Sequence, residues 1–349
     1  VNGTALTLTG QGESVMNAYG KTSYYDSNGN SYPGSSAPWG KYSQEITSVT
    51  LTGVKNIGNF AFYSFSALES VSLSGVTSIG ESAFEGCTKL NSVSGSGSVT
   101  SFGAYVFNGC SNLSTISLKD NAVMGSYVFA GTGLTQVIWP SESETISEGA
   151  FQKCAQIKAI DIPAQVRTIN NKAFNFCSGA TSITGLYNAT YIGTGVFSSC
   201  NQLTDIVWSK NVPKISTSAF SNCEGITGIT IPDYVTEIGS SAFASCISVS
   251  GTVTIPDKVT KIGSGAFSNC GSTGAGMTEV IVGKDVSSIE DSAFYNCIKL
   301  ASLEWKTTSL KKIGAGAFSG TAFEKFVVPA SVDDIGTNPF VGGKLKEIE

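Results

Sequence analysis

A nine-residue string recurs along this chain, and no other feature limits its folding as much. One copy reads Ile238-Gly239-Ser240-Ser241-Ala242-Phe243-Ala244-Ser245-Cys246, and the next reads Ile262-Gly263-Ser264-Gly265-Ala266-Phe267-Ser268-Asn269-Cys270. With the first residue as origin, copies begin at Ile57, Ile79, Phe102, Met124, Ile146, Ile169, Ile192, Ile215, Ile238, Ile262, Ile289, Ile313 and Ile335. Successive origins lie 22–24 residues apart, except for 27 between Ile262 and Ile289. A unit that short cannot bury an apolar face by itself, so it must stack on its own copies. The sequence therefore predicts a solenoid.

The fifth residue after every origin is Phe, from Phe62, Phe84 and Phe107 through to Phe318 and Phe340. Stacking would align these rings in one interior column, each burying about 150–250 Å². Within a copy, Ala242, Phe243, Cys246 and Val249 fall at i, i+1, i+4 and i+7, the spacing of one face of a helical turn. A period-two stretch such as Ile226–Ile231 follows and predicts a strand, stopped by Pro232 because proline cannot donate to a ladder. A second extended piece, Tyr234–Ile238, returns the chain to the next origin. The glycine after the origin (Gly58, Gly80, Gly239, Gly263) is expected to turn the corner, although Ser147 and Glu290 can replace it.

All nine cysteines share the column eight residues after an origin, where Phe65 and Thr321 also stand. An odd number in one inward column predicts buried free thiols, not a disulfide framework or a metal site. The chain has no histidine, which excludes imidazole-based catalysis, His-ligated metals and an imidazole pH switch. Its 21 Lys plus Arg against 26 Asp plus Glu give a net charge of −5, which argues against a nucleic-acid partner. No apolar run is long enough for a membrane span. Only 13% of residues are charged and 40 are glycine, so the surface is largely Ser, Thr, Asn and Gly.

The consensus Ile-Gly-x-x-Ala-Phe-x-x-Cys-x-x-Leu-x-x-Val-x-Ile-Pro, clearest from Ile215 to Glu237 and from Ile146 to Thr168, resembles the BspA-like (Treponema-type) leucine-rich repeat. The resemblance covers residues 46–349, about thirteen repeats of 22–24 residues with an insertion at 271–276, as one continuous structural domain. Residues 1–45, with Leu6-Thr-Leu8-Thr-Gly10-Gln-Gly12 and Ala37-Pro38-Trp39, look like that family's N-terminal cap. It implies a β-rich α/β repeat fold: a right-handed solenoid with a parallel concave sheet and short helical turns on the opposite side. It also implies a secreted or surface-attached bacterial protein, several relatives of which act as adhesins. The chain starts at Val1 without an apolar signal, so any export signal is expected to have been removed or omitted.

Function is therefore expected on the outward strand positions. The N-terminal half of that strip is nearly pure hydroxyl (Ser48/Thr50, Ser70/Ser72, Ser92/Ser94), while acids and apolar groups enter from Gln136 onward. The expected binding strip is Gln136, Ile138, Asp161, Asp205, Val207, Glu279, Ile281 and Glu304. Its expected partner is a protein or glycoprotein, or else a glycan, bound by a monomer without a cofactor or metal. A structural spacer within a larger surface protein, or a carbohydrate- or mucin-binding module using Trp139, Trp208 and Trp305, are the alternatives. At these inward strand positions the tryptophans read first as core plugs. Trp39, with Tyr24, Tyr25, Tyr32 and Tyr42, is expected to cover the apolar end of the stack.

Weaker motifs do not alter this reading. Asp26-Ser-Asn28-Gly29-Asn30 hints at a calcium loop but lacks its closing glutamate. Ser309-Leu-Lys-Lys312 matches Ser-x-x-Lys without the accompanying motifs. Glu290-Asp291 and Asp333-Asp334 alternate across extended chain and do not form a convergent acid pair. Asn2, Asn112 and Asn188 begin Asn-x-Ser/Thr sequons, relevant only in a eukaryotic secretory path.

Overall fold

The computed structural model describes residues 5–25 and 30–349. They divide into two compact units, one up to Val166 and the other Arg167–Glu349. Each unit is a parallel-strand solenoid; the thirteen origins fall five in the first unit and eight in the second.

The steadiest ladder in both units lies on the return segment. In the first unit, Asn56–Ile57 pairs with Ser78–Ile79, which pairs with Ser101–Phe102, which pairs with Val123–Met124. In the second, Lys214–Ile215, Glu237–Ile238, Lys261–Ile262, Ser288–Ile289, Lys312–Ile313 and Asp334–Ile335 pair in turn, all parallel. Each origin therefore sits directly above its counterpart, and most are fully buried. That register fixes the phenylalanine column. Ring centroids run 5.2–6.0 Å apart from Phe62 to Phe151 in the first unit. They do the same from Phe174 to Phe340 in the second. Planes of successive rings are tilted by 30° or less, which is offset stacking.

The run after each origin is not helical. No α-helix occurs among the described residues, and the only helical pieces are three short 3-10 turns. The reason lies in two backbone positions. The third residue after every origin (Ser82, Tyr105, Ser218, Ser241 and their counterparts) has φ between 51° and 63°. The seventh (Gly86, Gly109, Asn222, Ser245 and theirs) has φ between 56° and 77°. Left-handed residues at this spacing prevent the uniform geometry an α-helix needs.

They also redirect the amides. Ser218, Phe220 and Asn222 donate to Ser240, Ala242 and Ala244 of the next coil at 2.7–2.8 Å, whereas Ala219, Ser221 and Cys223 donate three residues back within their own coil. The burial spacing of 3–4 residues comes from consecutive tight turns. Half of the amides serve as a second inter-coil ladder.

The glycine after the origin has a different role from the one expected. Gly80, Gly239 and Gly263 are not left-handed. Instead, a Cβ on Gly263 would lie 2.6 Å from the backbone of Gly239 and Ser240, closer than real contacts allow. Where serine takes the position, its hydroxyl reaches the preceding origin's carbonyl, as Ser147 does to Met124 at 2.7 Å. Gly263→Ala is expected to destabilise the second unit by about 1–3 kcal/mol through overpacking. Gly228→Ala, which meets nothing within 4 Å, should stay within about 0.5 kcal/mol. Urea melts of the two variants check this.

The N-terminal segment supplies a further strand: Ala5–Val15 pairs parallel with Ser48–Ile57. The antiparallel pair Lys21–Tyr25 and Ser31–Ser35 leads on to Trp39. The Trp39 indole stacks on Phe62 at 5.8 Å, meets Tyr19 edge-on at 5.5 Å, and donates Nε1–H to the Ala61 carbonyl at 2.8 Å. Trp39 thus closes one end of the first unit's ring column as expected, but with Tyr19 beside it; of the tyrosines expected there, Tyr25 is exposed and Tyr24 packs against Tyr32.

Candidate functional site

The strip of outward strand positions is less continuous than the repeat suggests. In the first unit Ser48–Ile57, Ser70–Ser72 and Ser92–Ser94 form a parallel sheet, with Ser48, Ser70 and Ser92 side by side and Thr50, Ser72 and Ser94 beside them. This is the hydroxyl ladder read from the sequence. Beyond it the regular strand lapses: Gln136 and Ile138 lie on a segment without ladder bonds, Gln136 exposed and Ile138 half-buried. Asp161 is exposed at the end of the short strand Ala159–Asp161.

In the second unit, Asp205 and Val207 also lie outside any regular strand. Asp205 accepts a hydrogen bond from the Thr204 hydroxyl at 3.3 Å, and Val207 is 38% exposed. Regular pairing resumes in the parallel strands Gly251–Thr254, Met277–Val282 and Ser302–Trp305. Glu279 stands between Thr252 and Ser302 in register, and Ile281 stands between Thr254 and Glu304. Both neighbours donate to the Glu279 carboxylate, Thr252 at 2.8 Å and Ser302 at 3.3 Å. Glu304 is exposed. The fold therefore brings Glu279, Ile281 and Glu304 together. It joins neither Asp205 and Val207 nor Gln136 and Ile138 to that sheet.

The tryptophans divide. Trp139 and Trp208 are buried, each packing against the following coil's ring (Phe151 at 5.6 Å, Phe220 at 5.7 Å). Their Nε1–H groups are taken by the Thr145 and Val212 carbonyls. They are core plugs. Trp305 is half-buried and donates to the Val327 carbonyl at 3.2 Å; it lines a cavity of about 400 Å³ with Ser302, Lys325 and Phe326.

All nine cysteines are free and buried. In eight coils the thiol donates to the carbonyl of the previous coil's column phenylalanine at 3.1–3.4 Å. Burial pushes the Cys154 thiol up to about 11 and Cys297 to about 12, and raises Cys110, Cys200 and Cys223 well above their ordinary value. A thiol held neutral is neither nucleophile nor metal ligand. Among the described residues no group of His, Cys, Asp or Glu could hold a metal ion.

Of the weaker motifs, Asp26–Gly29 lies outside the described residues. Lys312 of the Ser-x-x-Lys match is engaged by Glu290 at 2.9 Å, while Ser309 faces Thr307. The Ser288 hydroxyl and the Lys312 ammonium hold the Glu290 carboxyl below its ordinary value. Asp291 accepts the Ala315 amide at 2.8 Å. These acids serve the stack.

One feature was missed. Where the strands of the second unit end, a cavity of about 430 Å³ is lined by Lys258, Lys284 and Lys306 beside Asp257 and Asp233. The available signal was positional: each lysine lies within two residues of a strand stop, after Pro256, Gly283 and Trp305.

Coils of 22–24 residues with parallel strands, an interior phenylalanine column and an exposed strand strip define a leucine-rich-repeat type of solenoid protein. The model of the BspA type leucine rich repeat region, six copies long, matches residues 41–158, 144–274 and 272–349, and the chain belongs to that family. It is similar in fold to a leucine-rich repeat protein from Bacteroides ovatus, at 24% identity and a TM-score of 0.66, covering 96% of this chain and 86% of that one. A leucine-rich repeat protein from Eubacterium ventriosum is similar at 23% identity and a TM-score of 0.62, covering 98% and 91%. Comparison with curated proteins gave no match. No helix among the described residues is long and apolar enough to cross a membrane.

Proposed function

We propose that this protein is a non-enzymatic recognition module, secreted or held at a bacterial cell surface, that binds a protein or glycoprotein as a monomer. Membership of a family of surface repeat proteins supports the setting. The observation that carries the binding role is the outward strip of the second unit. There half-exposed Ile281 and Glu279, held by two hydroxyls, share a sheet with exposed Glu304, and Val207 is exposed on a segment outside that sheet. Such a strip is ordered before a partner arrives, so little side-chain entropy is lost on contact. Apolar side chains flanked by acids supply anchor and selectivity. Asp161 and Asp205, with Gln136 and Ile138, extend the same character to less regular segments.

Val207→Asp is expected to lower adhesion to immobilised matrix proteins at least tenfold, with a small drop in melting temperature because the side chain is 38% exposed. Surface plasmon resonance against a panel of such proteins reads it; adhesion equal to wild type would reject the assigned strip. The hydroxyl ladder of the first unit favours a spacer role for that unit, since a uniform neutral strip with high β-propensity offers no anchor. Replacing Thr50 and Ser72 by Lys should then leave binding untouched.

A further inference from the structure

The lysine-lined cavity at the strand ends of the second unit differs in chemistry from the strip. Its three lysines come from three successive coils. With neighbouring strands about 4.8 Å apart, they form a row on the order of 10 Å long parallel to the stack. Six lysines of this unit are in ion pairs (Lys214, Lys261, Lys311, Lys312, Lys325 and Lys346), and Lys172, Lys210, Lys299 and Lys344 are in none among the described residues but do not line this cavity. Lys258, Lys284 and Lys306 take part in no ion pair among the described residues. Asp257 accepts the Lys284 backbone amide at 3.2 Å and keeps its charge, so three ammonium groups against Asp233 and Asp257 leave the lining with one net positive charge.

A second cavity of about 290 Å³ adjoins and shares Asp233, Thr254 and Pro256 with the first. Thr230 and Thr252 add hydroxyls to it, and Ile229 and Ile231 give it an apolar wall. One end of the composite groove is thus cationic, and the other offers hydroxyls, a carboxylate and apolar surface. That combination suits a sugar chain: anionic substituents meet the ammonium row, and ring hydroxyls meet Thr230, Thr252 and Asp233. We propose that this groove, which borders the strip through Thr252 and Thr254, binds an anionic polysaccharide, one bearing sulfate or uronic carboxylate groups.

The net charge of −5 opposes polyanions at long range, so binding must come from the local row. The test is calorimetric titration of the whole chain with a size-defined heparin oligosaccharide, its desulfated form, and linear polyphosphate. Heparin should bind, with affinity falling as salt rises because counterions are released. The triple variant Lys258→Ala/Lys284→Ala/Lys306→Ala should weaken it at least tenfold. The triple variant Lys172→Ala/Lys210→Ala/Lys344→Ala removes the same charge from exposed sites elsewhere and should change it less than twofold. The desulfated oligosaccharide separates the two anion types: retained binding assigns the row to carboxylate, lost binding to sulfate. Three results would overturn the proposal: no binding of heparin by the wild type, equal loss in both triple variants, or polyphosphate binding as tightly as heparin. Val207→Asp should leave this titration unchanged, so the groove and the strip can fail separately.

Discussion

Phe220→Ala is expected to lower the unfolding free energy of the chain by about 3–5 kcal/mol, the loss typical of emptying a buried aromatic site. The ring is fully buried between Phe197 and Phe243, each 5.7 Å away, and Trp208 rests against it at the same distance. Alanine would leave a void with rings above and below whose separation is fixed by the ladders Lys214–Glu237 and Glu237–Lys261, so the site cannot collapse. In a stacked array the damage should concentrate in neighbouring coils. Hydrogen exchange should show lost protection around Phe197 and Phe243, with Phe318 little changed. Phe340, half-buried at the last coil, is the internal control, and its replacement should have the smaller effect. Equal effects in urea melts would contradict a column that carries the stability.

The second large effect is alkaline. The cysteine thiols are neutral and sealed, and burial is the principal cause that raises those of Cys154 and Cys297 to about 11 and 12. A group whose folded pKa is raised stabilises the fold fully below its unfolded pKa. That contribution is lost as pH rises toward the folded value. Unfolded cysteine ionises near 8.5, so the loss should begin above about pH 8.5, at up to ~1.4 kcal/mol per pH unit for each such thiol. Stability should therefore fall steeply between about pH 9 and 11, and Cys154→Ala/Cys297→Ala should flatten that slope. The same burial predicts that iodoacetamide leaves the native protein unlabelled at neutral pH and adds nine adducts only in denaturant, read by mass spectrometry.

The interior was legible because identity repeated in register. Phe62 through Phe340 and the cysteine column could be placed from spacing alone, and the Trp39 cover from the need to cap the apolar end of the stack. The helical turns could not, because burial at i, i+1, i+4 and i+7 is common to a helix and to a series of tight turns. A distinguishing signal existed at the seventh position after each origin, where Gly86, Gly109, Asn222, Asn269 and Asn296 are residues that tolerate left-handed backbone. The candidate strip was legible only in part. Glu279, Ile281 and Glu304 share a sheet, but around Val207 and Gln136 the period-two pattern persists where ladder bonds do not. Alternation reports which side chains face inward, and hydrogen bonding depends also on the coil beneath. The lysine groove escaped because its members are 26 and 22 residues apart in the chain and share only their position at a strand stop.

The amides that cross between coils have a consequence for engineering. From the origin to the cysteine, backbone length is locked, since Ser218, Phe220 and Asn222 each need an acceptor at a fixed height in the neighbour. The longest coil places its extra residues after that arc, at 271–276, between Cys270 and the strand Met277–Val282. That bend is a natural splice point. Gly271, Thr273 and Gly276 still bond to the coil before, so a grafted epitope or fluorophore-binding peptide fits between Gly274 and Ala275, whereas one added residue inside the arc would put every later rung out of step.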